Sequence, residues 1–167
     1  MVIMNKSYLK TKQTKNSFGL FTEAVIPART PIIELTGTIW NDDTLPEHQD
    51  QELILQIGPG VYLGPSGGLD DYINHSCEPN CYINVVGKRA ILYSLYLIES
   101  NSELTFDYSL SSTDTYDTWT FNCDCGSFKC RKKISGYQYL SDELKEEYVK
   151  KGIVPLFIND PRFMRKE

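Results

Sequence analysis

Apolar positions in the first two-thirds of the chain recur in short runs bounded by Gly, Pro, Asn and Asp, without helical spacing. Pro31 to Trp40 is a β-branched run closed by Asn41-Asp42-Asp43, and Leu53, Leu55 and Ile57 alternate with Ile54 and Gln56. Val85-Val86 and Arg89 to Ile98 flank Gly87-Lys88, which is the spacing of a hairpin with a tight turn. Glu103 to Tyr108 reads as a further strand with alternating apolar positions, and the whole predicts a mainly β fold of many short strands. The C-terminal part reads differently. Ser141 can cap a helix with Asp142 and Glu143 in its first turn, Lys150 and Lys151 in its last and Gly152 as terminator, so that Leu144 and Tyr148 face inward. Ser109 to Thr120 has no periodicity and is expected to be a surface loop that can order on a ligand.

A length of 167 residues suits one domain with small terminal decorations. The net charge of −5 argues against nonspecific nucleic-acid binding and is compatible with a cationic partner. No apolar run reaches membrane-helix length, and Met1 to Lys15 lacks a signal-peptide core, so a soluble, intracellular protein is expected.

Five cysteines are an odd number, and Cys123, Cys125 and Cys130 fall within eight residues. In a reducing compartment that clustering favours metal thiolates over disulfides. Tetrahedral zinc needs a fourth ligand, for which Cys77, Cys81, His75 and His48 are available; spacing alone does not choose among them. In isolation, Asn74-His75-Ser76-Cys77-Glu78-Pro79-Asn80-Cys81 is a polar loop, and Glu103-Leu104-Thr105-Phe106-Asp107-Tyr108 is a plain core strand.

Taken in order, Asn-His-Ser-Cys-Glu-Pro-Asn-Cys, Glu-Leu-Thr-Phe-Asp-Tyr and Cys-x-Cys-x4-Cys-Arg resemble the SET domain of protein lysine methyltransferases followed by a post-SET zinc loop, most like the trithorax type. The likeness runs from about Ser17 to Ile134; the segment after it looks like the tail of small bacterial SET proteins. It implies small curved sheets with a C-terminal pseudoknot and a short C-terminal helix. The divisions it suggests are an N-terminal extension (1–16), the SET domain (17–108), a linker loop and zinc segment (109–135) and a tail (136–167). It further implies methyl transfer from S-adenosylmethionine to a lysine ε-amine of a protein or peptide, with Tyr108 as catalytic tyrosine. Cofactor contacts would come from Ser17, Phe18, Gly19, Leu20, Tyr72, Asn74, His75, Tyr108 and Ile134. Phe106 and Tyr62 would line the substrate channel, Cys77, Cys123, Cys125 and Cys130 would hold structural zinc, and Cys81 would be a small buried residue. In the family a phenylalanine at the position of Phe106 goes with more than one methylation, so di- or trimethylation is expected.

Two positions depart from the family pattern. Ser17 replaces the first glycine of the cofactor turn Ser17-Phe18-Gly19-Leu20, and Leu35 replaces an active-site tyrosine, for which Tyr62 or Tyr72 could substitute. They motivate an alternative, a SET-fold binding module for a peptide or cofactor that does not turn over. A redox sensor would instead need Cys81 as an exposed, low-pKa thiol. Because the cofactor turn comes so early, substrate choice is expected to rest on the domain surface and tail. The setting could be cytoplasmic, nuclear or nucleoid, or a host cell.

Overall fold

Turn residues cut the chain into strands of two to six residues, grouped in five small sheets among the described residues. The computed structural model describes residues 3–15, 17–46, 53–113 and 119–159. Strands β1 (Leu9–Gln13) and β2 (Phe18–Thr22) form an antiparallel pair. The run from Pro31 to Trp40 makes two strands, β3 (Pro31–Leu35) and β4 (Ile39–Asn41), which enter different sheets. Gly37 is the cause: its φ is +148°, and a Cβ there would collide with the carbonyl oxygen of Gly64.

Strand β4 joins β5 (Leu55–Gly58) through β6 (Val61–Leu63). The expected alternation along β5 is absent, because all four of its residues are buried. Gln56 is covered by the segment after Tyr108: its side-chain oxygen accepts from the Thr113 amide at 2.8 Å, while its Nε2 donates to Gly58 O at 3.1 Å. After the two-residue strand β7 (Asn74–His75) come β8 (Cys81–Val86) and β9 (Arg89–Ser94), which form the predicted hairpin around Gly87-Lys88. This hairpin ends at Ser94 and not Ile98, since Leu95 N turns away to Asn80 O and Ile98 bridges Ile26 instead. Strand β3 adds to β9 to complete that sheet.

Of Glu103 to Tyr108, Glu103 forms an isolated antiparallel bridge with Phe21, and the strand proper is β10 (Thr105–Phe106), paired in parallel with β7. Strands β11 (Phe121–Asn122) and β12 (Lys133–Ile134) flank the cysteine loop. Helix α1 (Asp142–Lys151) follows its sequence signals: Ser141 Oγ accepts from Leu144 N, Gly152 ends it at φ +63°, and Tyr148 is buried. A second helix, α2 (Leu156–Asn159), was not anticipated. The main core lies among β1–β3, β5, β6 and β8–β10, and a second cluster packs Tyr148, Ile153 and Phe157 against Leu95 and Leu110. Among the described residues no helix is long and apolar enough to cross a membrane.

Candidate active site

The parallel pairing of β7 with β10 sets Asn74 opposite Thr105 and His75 opposite Phe106, with Tyr108 two residues further on. The Tyr108 amide donates to His75 Nδ1 at 3.1 Å, and its hydroxyl donates to Ile73 O at 2.9 Å. Its ring lies 4.8 Å from that of Phe106 and edge-on to His75 at 5.3 Å, centroid to centroid. Burial lowers the His75 pKa to about 4 despite the nearby Asp107 carboxylate, so the imidazole is neutral at pH 7. With Nδ1 accepting from Tyr108, the ring proton sits on Nε2, which faces Cys77 Sγ at 3.3 Å.

A cleft of about 700 Å³ opens beside Tyr108, lined also by Ser17, Asn74, His75, Glu103, Phe121 and Ile134. That volume lies within the roughly 300–1,000 Å³ of small-molecule sites. Asn74 Nδ2 donates to Phe18 O at 3.1 Å and to Glu103 Oε1 at 2.7 Å, fixing the polar side of the cleft. Lys15 and Asp124, both lining it, form an exposed ion pair of 2.5 Å between the N-terminal strands and the cysteine loop. Tyr108 also lines a smaller cavity, about 70 Å³, with Leu35, Leu53, Ile54, Ile73 and Phe106, so one tyrosine borders both spaces.

Donor atoms of His75, Cys77, Cys123 and Cys125 all lie within 4.8 Å of one another. Cys77 Sγ and Cys123 Sγ are 3.8 Å apart, which matches the tetrahedral edge of about 3.8 Å that Zn–S bonds of ~2.3 Å require. The Cys130 thiol hydrogen-bonds with those of Cys123 and Cys125. Burial pushes the Cys77 and Cys123 thiols up. Burial also opposes ionisation of Cys125, but hydrogen bonds from the Cys77 and Ser127 backbone and from the Cys123 and Cys130 thiols outweigh it and bring that group to about 7. Donors this soft and this close fit a tetrahedral thiophilic cation. Among the alternatives weighed for the fourth ligand, the proton on His75 Nε2 disfavours the imidazole. Cys81 is buried in the main core, and His48 lies outside the described residues.

Sequence reasoning missed a buried cluster next to this site. Asp107 is fully buried; its Oδ1 accepts from Arg131 Nη2 at 2.6 Å and from Ser109 N at 3.0 Å, and its Oδ2 accepts from the Tyr148 hydroxyl at 2.6 Å. Burial, reinforced by the Asp107 carboxylate, pushes the Tyr148 phenol up, so it stays a donor. Arg131 also sends its backbone N–H toward Cys77 Sγ at 3.4 Å.

Ser17, Asn74, His75, Tyr108 and Ile134 meet at the large cleft, and Phe106 at the small cavity. Other expected positions behave differently. Phe18 and Gly19 back the cleft without lining it, through the carbonyl that Asn74 bonds and through close approach to Glu103, and Leu20 is core. Tyr72 is exposed and edge-on to Phe18, and it lines neither space. Tyr62 also lines neither, because its strand register points its hydroxyl to Asp42 Oδ1 at 3.0 Å. The aliphatic Leu35, Leu53 and Ile54 occupy the wall where an aromatic substitute was expected. Cys81 is 1% exposed and burial pushes its thiol up, the opposite of what a redox sensor needs.

A mainly β domain that pairs an Asn-His strand with the strand before a tyrosine, and closes a cysteine loop beside both, defines a recognisable structural class. The family model for the SET domain matches residues 17–109, and the chain belongs to the SET domain family. The H3 lysine-36 specific histone-lysine N-methyltransferase of Mycosarcoma maydis is 32% identical over 136 residues, 73% of this chain and 14% of that protein. SUVH6 of Arabidopsis thaliana, solved with SAM, shares the fold at a TM-score of 0.65 and 23% identity, covering 75% of this chain and 32% of that one. KRYPTONITE, solved with mCHG DNA and SAH, superposes at a TM-score of 0.60 with 26% identity, over 72% of this chain and 27% of that one. The chain thus spans less than a third of each.

Proposed function

We propose that the protein transfers a methyl group from S-adenosylmethionine to the ε-amine of a lysine in a protein or peptide, with Tyr108 as the catalytic residue. The observation that carries this reading is that, among the described residues, Tyr108 alone, with its hydroxyl anchored on Ile73 O, borders both the large polar cleft and the smaller, mostly apolar cavity. A two-substrate reaction needs such a junction, because donor and acceptor must meet in line with water kept away. The large cleft offers a polar side at Asn74 and Glu103 and an apolar side at Ile134 and Phe121, which fits a cofactor that is charged at one end and aromatic at the other. When bound, the cofactor supplies an electrophilic methyl on a sulfonium.

This chain's residues do the rest. Asp70 and Asp71, which also line the small cavity, attract the arriving ammonium, while the apolar walls from Leu35, Leu53, Ile54 and Phe106 disfavour its charge beside Tyr108, where the lysine sheds a proton to solvent and presents a lone pair. The Tyr108 hydroxyl oxygen would accept from the amine and orient it. The ring faces of Phe106 and Tyr108 favour the methylated cation by cation–π attraction. The aliphatic wall, with Phe106 and not tyrosine, leaves room for a second or third methyl. Cys77, Cys123 and Cys125, with the adjoining Cys130 in place of the protonated His75 Nε2, would hold a structural zinc that pins β11 and β12 beside the cleft and takes no part in the chemistry.

Labelled S-adenosylmethionine incubated with histones and cell-lysate proteins tests this. Labelled lysine, resolved by mass spectrometry into di- and trimethyl products and lost in Tyr108→Phe, is the expected result. Cofactor binding without any transfer would favour a non-catalytic SET-fold module. Gly19→Ala provides a second check, since its Cβ would collide with Glu103 Oε1 and crowd Asn74 Nδ2. The flexible Glu103 carboxylate can swing away, so the fold survives while the polar side of the cleft is broken. Calorimetric cofactor affinity should fall by about tenfold, roughly 1.4 kcal/mol, with little change in Tm. An unchanged affinity would remove Asn74 and Glu103 from the cofactor site.

A further inference from the structure

We infer that Tyr148 on helix α1 and Arg131 after the last cysteine are positioning residues for Tyr108, acting through the buried carboxylate of Asp107; this rests on the reading of Tyr108 as the catalytic tyrosine. Asp107 caps the turn that carries Tyr108: its Oδ1 accepts from Ser109 N at 3.0 Å, and its own carbonyl accepts from Leu110 N at 2.9 Å. Where that carboxylate lies therefore fixes the backbone from which the Tyr108 side chain springs.

A buried charge settles where its donors are, because leaving it unpaired costs far more than moving the chain. Two of the donors on Asp107 come from outside its own strand and turn, Arg131 Nη2 and the Tyr148 hydroxyl, each at 2.6 Å. Asp107 is the carboxylate that Arg131 pairs with; Nη2 otherwise reaches only the neutral Ser109 Oγ at 3.3 Å, and Nε and Nη1 are buried without a partner among the described residues. Tyr148 is held by a separate apolar cluster that includes Tyr137, Leu140 and Ile153. The cysteine loop and the C-terminal helix thus grip the same carboxylate from two independently anchored positions. The Tyr108 N–H bond to His75 Nδ1 completes the fixation. If Tyr148 were merely a core residue, only stability would respond to its loss.

The test uses the zinc-loaded full chain labelled with 3-fluorotyrosine, with the Tyr108 ¹⁹F signal assigned by its disappearance in Tyr108→Phe. Tyr148→Phe should shift or broaden that signal and lower kcat roughly tenfold, the scale of a modest misalignment, while cofactor Kd stays within about twofold. Ile153→Val, in the same cluster but with no group that can hydrogen-bond Asp107, controls for general loosening and should leave signal and kcat unchanged at a similar loss of Tm. Arg131→Lys should retain more turnover than Arg131→Gln. The inference is overturned if the Tyr108 signal stays put in Tyr148→Phe, if Ile153→Val moves it equally, or if it moves with kcat unchanged. Should the wild-type protein transfer no methyl at all, the ¹⁹F signal still decides the positioning, and the absent turnover counts against the catalytic reading alone.

Discussion

Tyr108→Phe is expected to slow methyl transfer by about 10²-fold or more while cofactor affinity changes less than about twofold, the scale of losing a preorganised polar contact at the reacting atoms. The substitution removes one atom. The ring contacts with His75, Phe106 and Phe121 persist, and so does the backbone bond to His75 Nδ1. What is lost is the hydroxyl that donates to Ile73 O and presents its oxygen where the two cavities meet. The Ile73 carbonyl loses a single hydrogen bond, about 1 kcal/mol, so folding should tolerate the change. The loss should fall on kcat, because the walls proposed to bind the lysine stem are untouched. Single-turnover rates with labelled cofactor, alongside calorimetry, check this. A variant retaining half its activity would mean that another group orients the amine.

Removal of the metal should have the second-largest effect. Cys77 belongs to the Asn-His-Ser-Cys segment, whereas Cys123 and Cys125, with Cys130 packed beside them, lie on the far loop, so an ion held by these thiols would tie the two together. Structural zinc contributes ~10–16 kcal/mol in isolated finger peptides. In this chain the main core does not include the loop, so its loss should free residues 119–134 without unfolding β1 to β10. Without that loop the cleft lacks Phe121 and Ile134. Chelation should therefore abolish cofactor binding and transfer, and added zinc should restore both. Since burial raises the Cys77 and Cys123 thiols, protons compete for the ligands and zinc should be lost as pH falls. A chelated protein that keeps its cofactor affinity would make the cysteines incidental to the site.

Features written locally could be read from the sequence. Ser141, the charges of α1 and Gly152 act on their own helix, and Gly87-Lys88 turns a hairpin whose strands are neighbours. The Asn-His, Tyr and cysteine segments were legible because each carries its chemistry in a few adjacent residues. Asp107 was not legible. Strand logic says nothing of partners 24 and 41 residues away, and only the fold brings Arg131 and Tyr148 to it. Tyr62 lies away from both spaces for a related reason: composition offered an aromatic, but strand register decides which face it occupies. The split of the Pro31 to Trp40 run depended on Gly64, 27 residues beyond Gly37 and invisible to any local window.

The grip on Asp107 also bears on how this region breathes. The amides of Tyr108, Ser109 and Arg131 are bonded to His75, Asp107 and Cys77, which belong to one interlocked cluster. Opening any one of them exposes a carboxylate, a thiol or a buried imidazole that the others help to hold, so these amides should exchange with solvent as a single cooperative unit. Helix α1, tied to the unit through the Tyr148 hydroxyl, should then open together with it, so fraying of α1 is not available as a cheap route to loosen Tyr108.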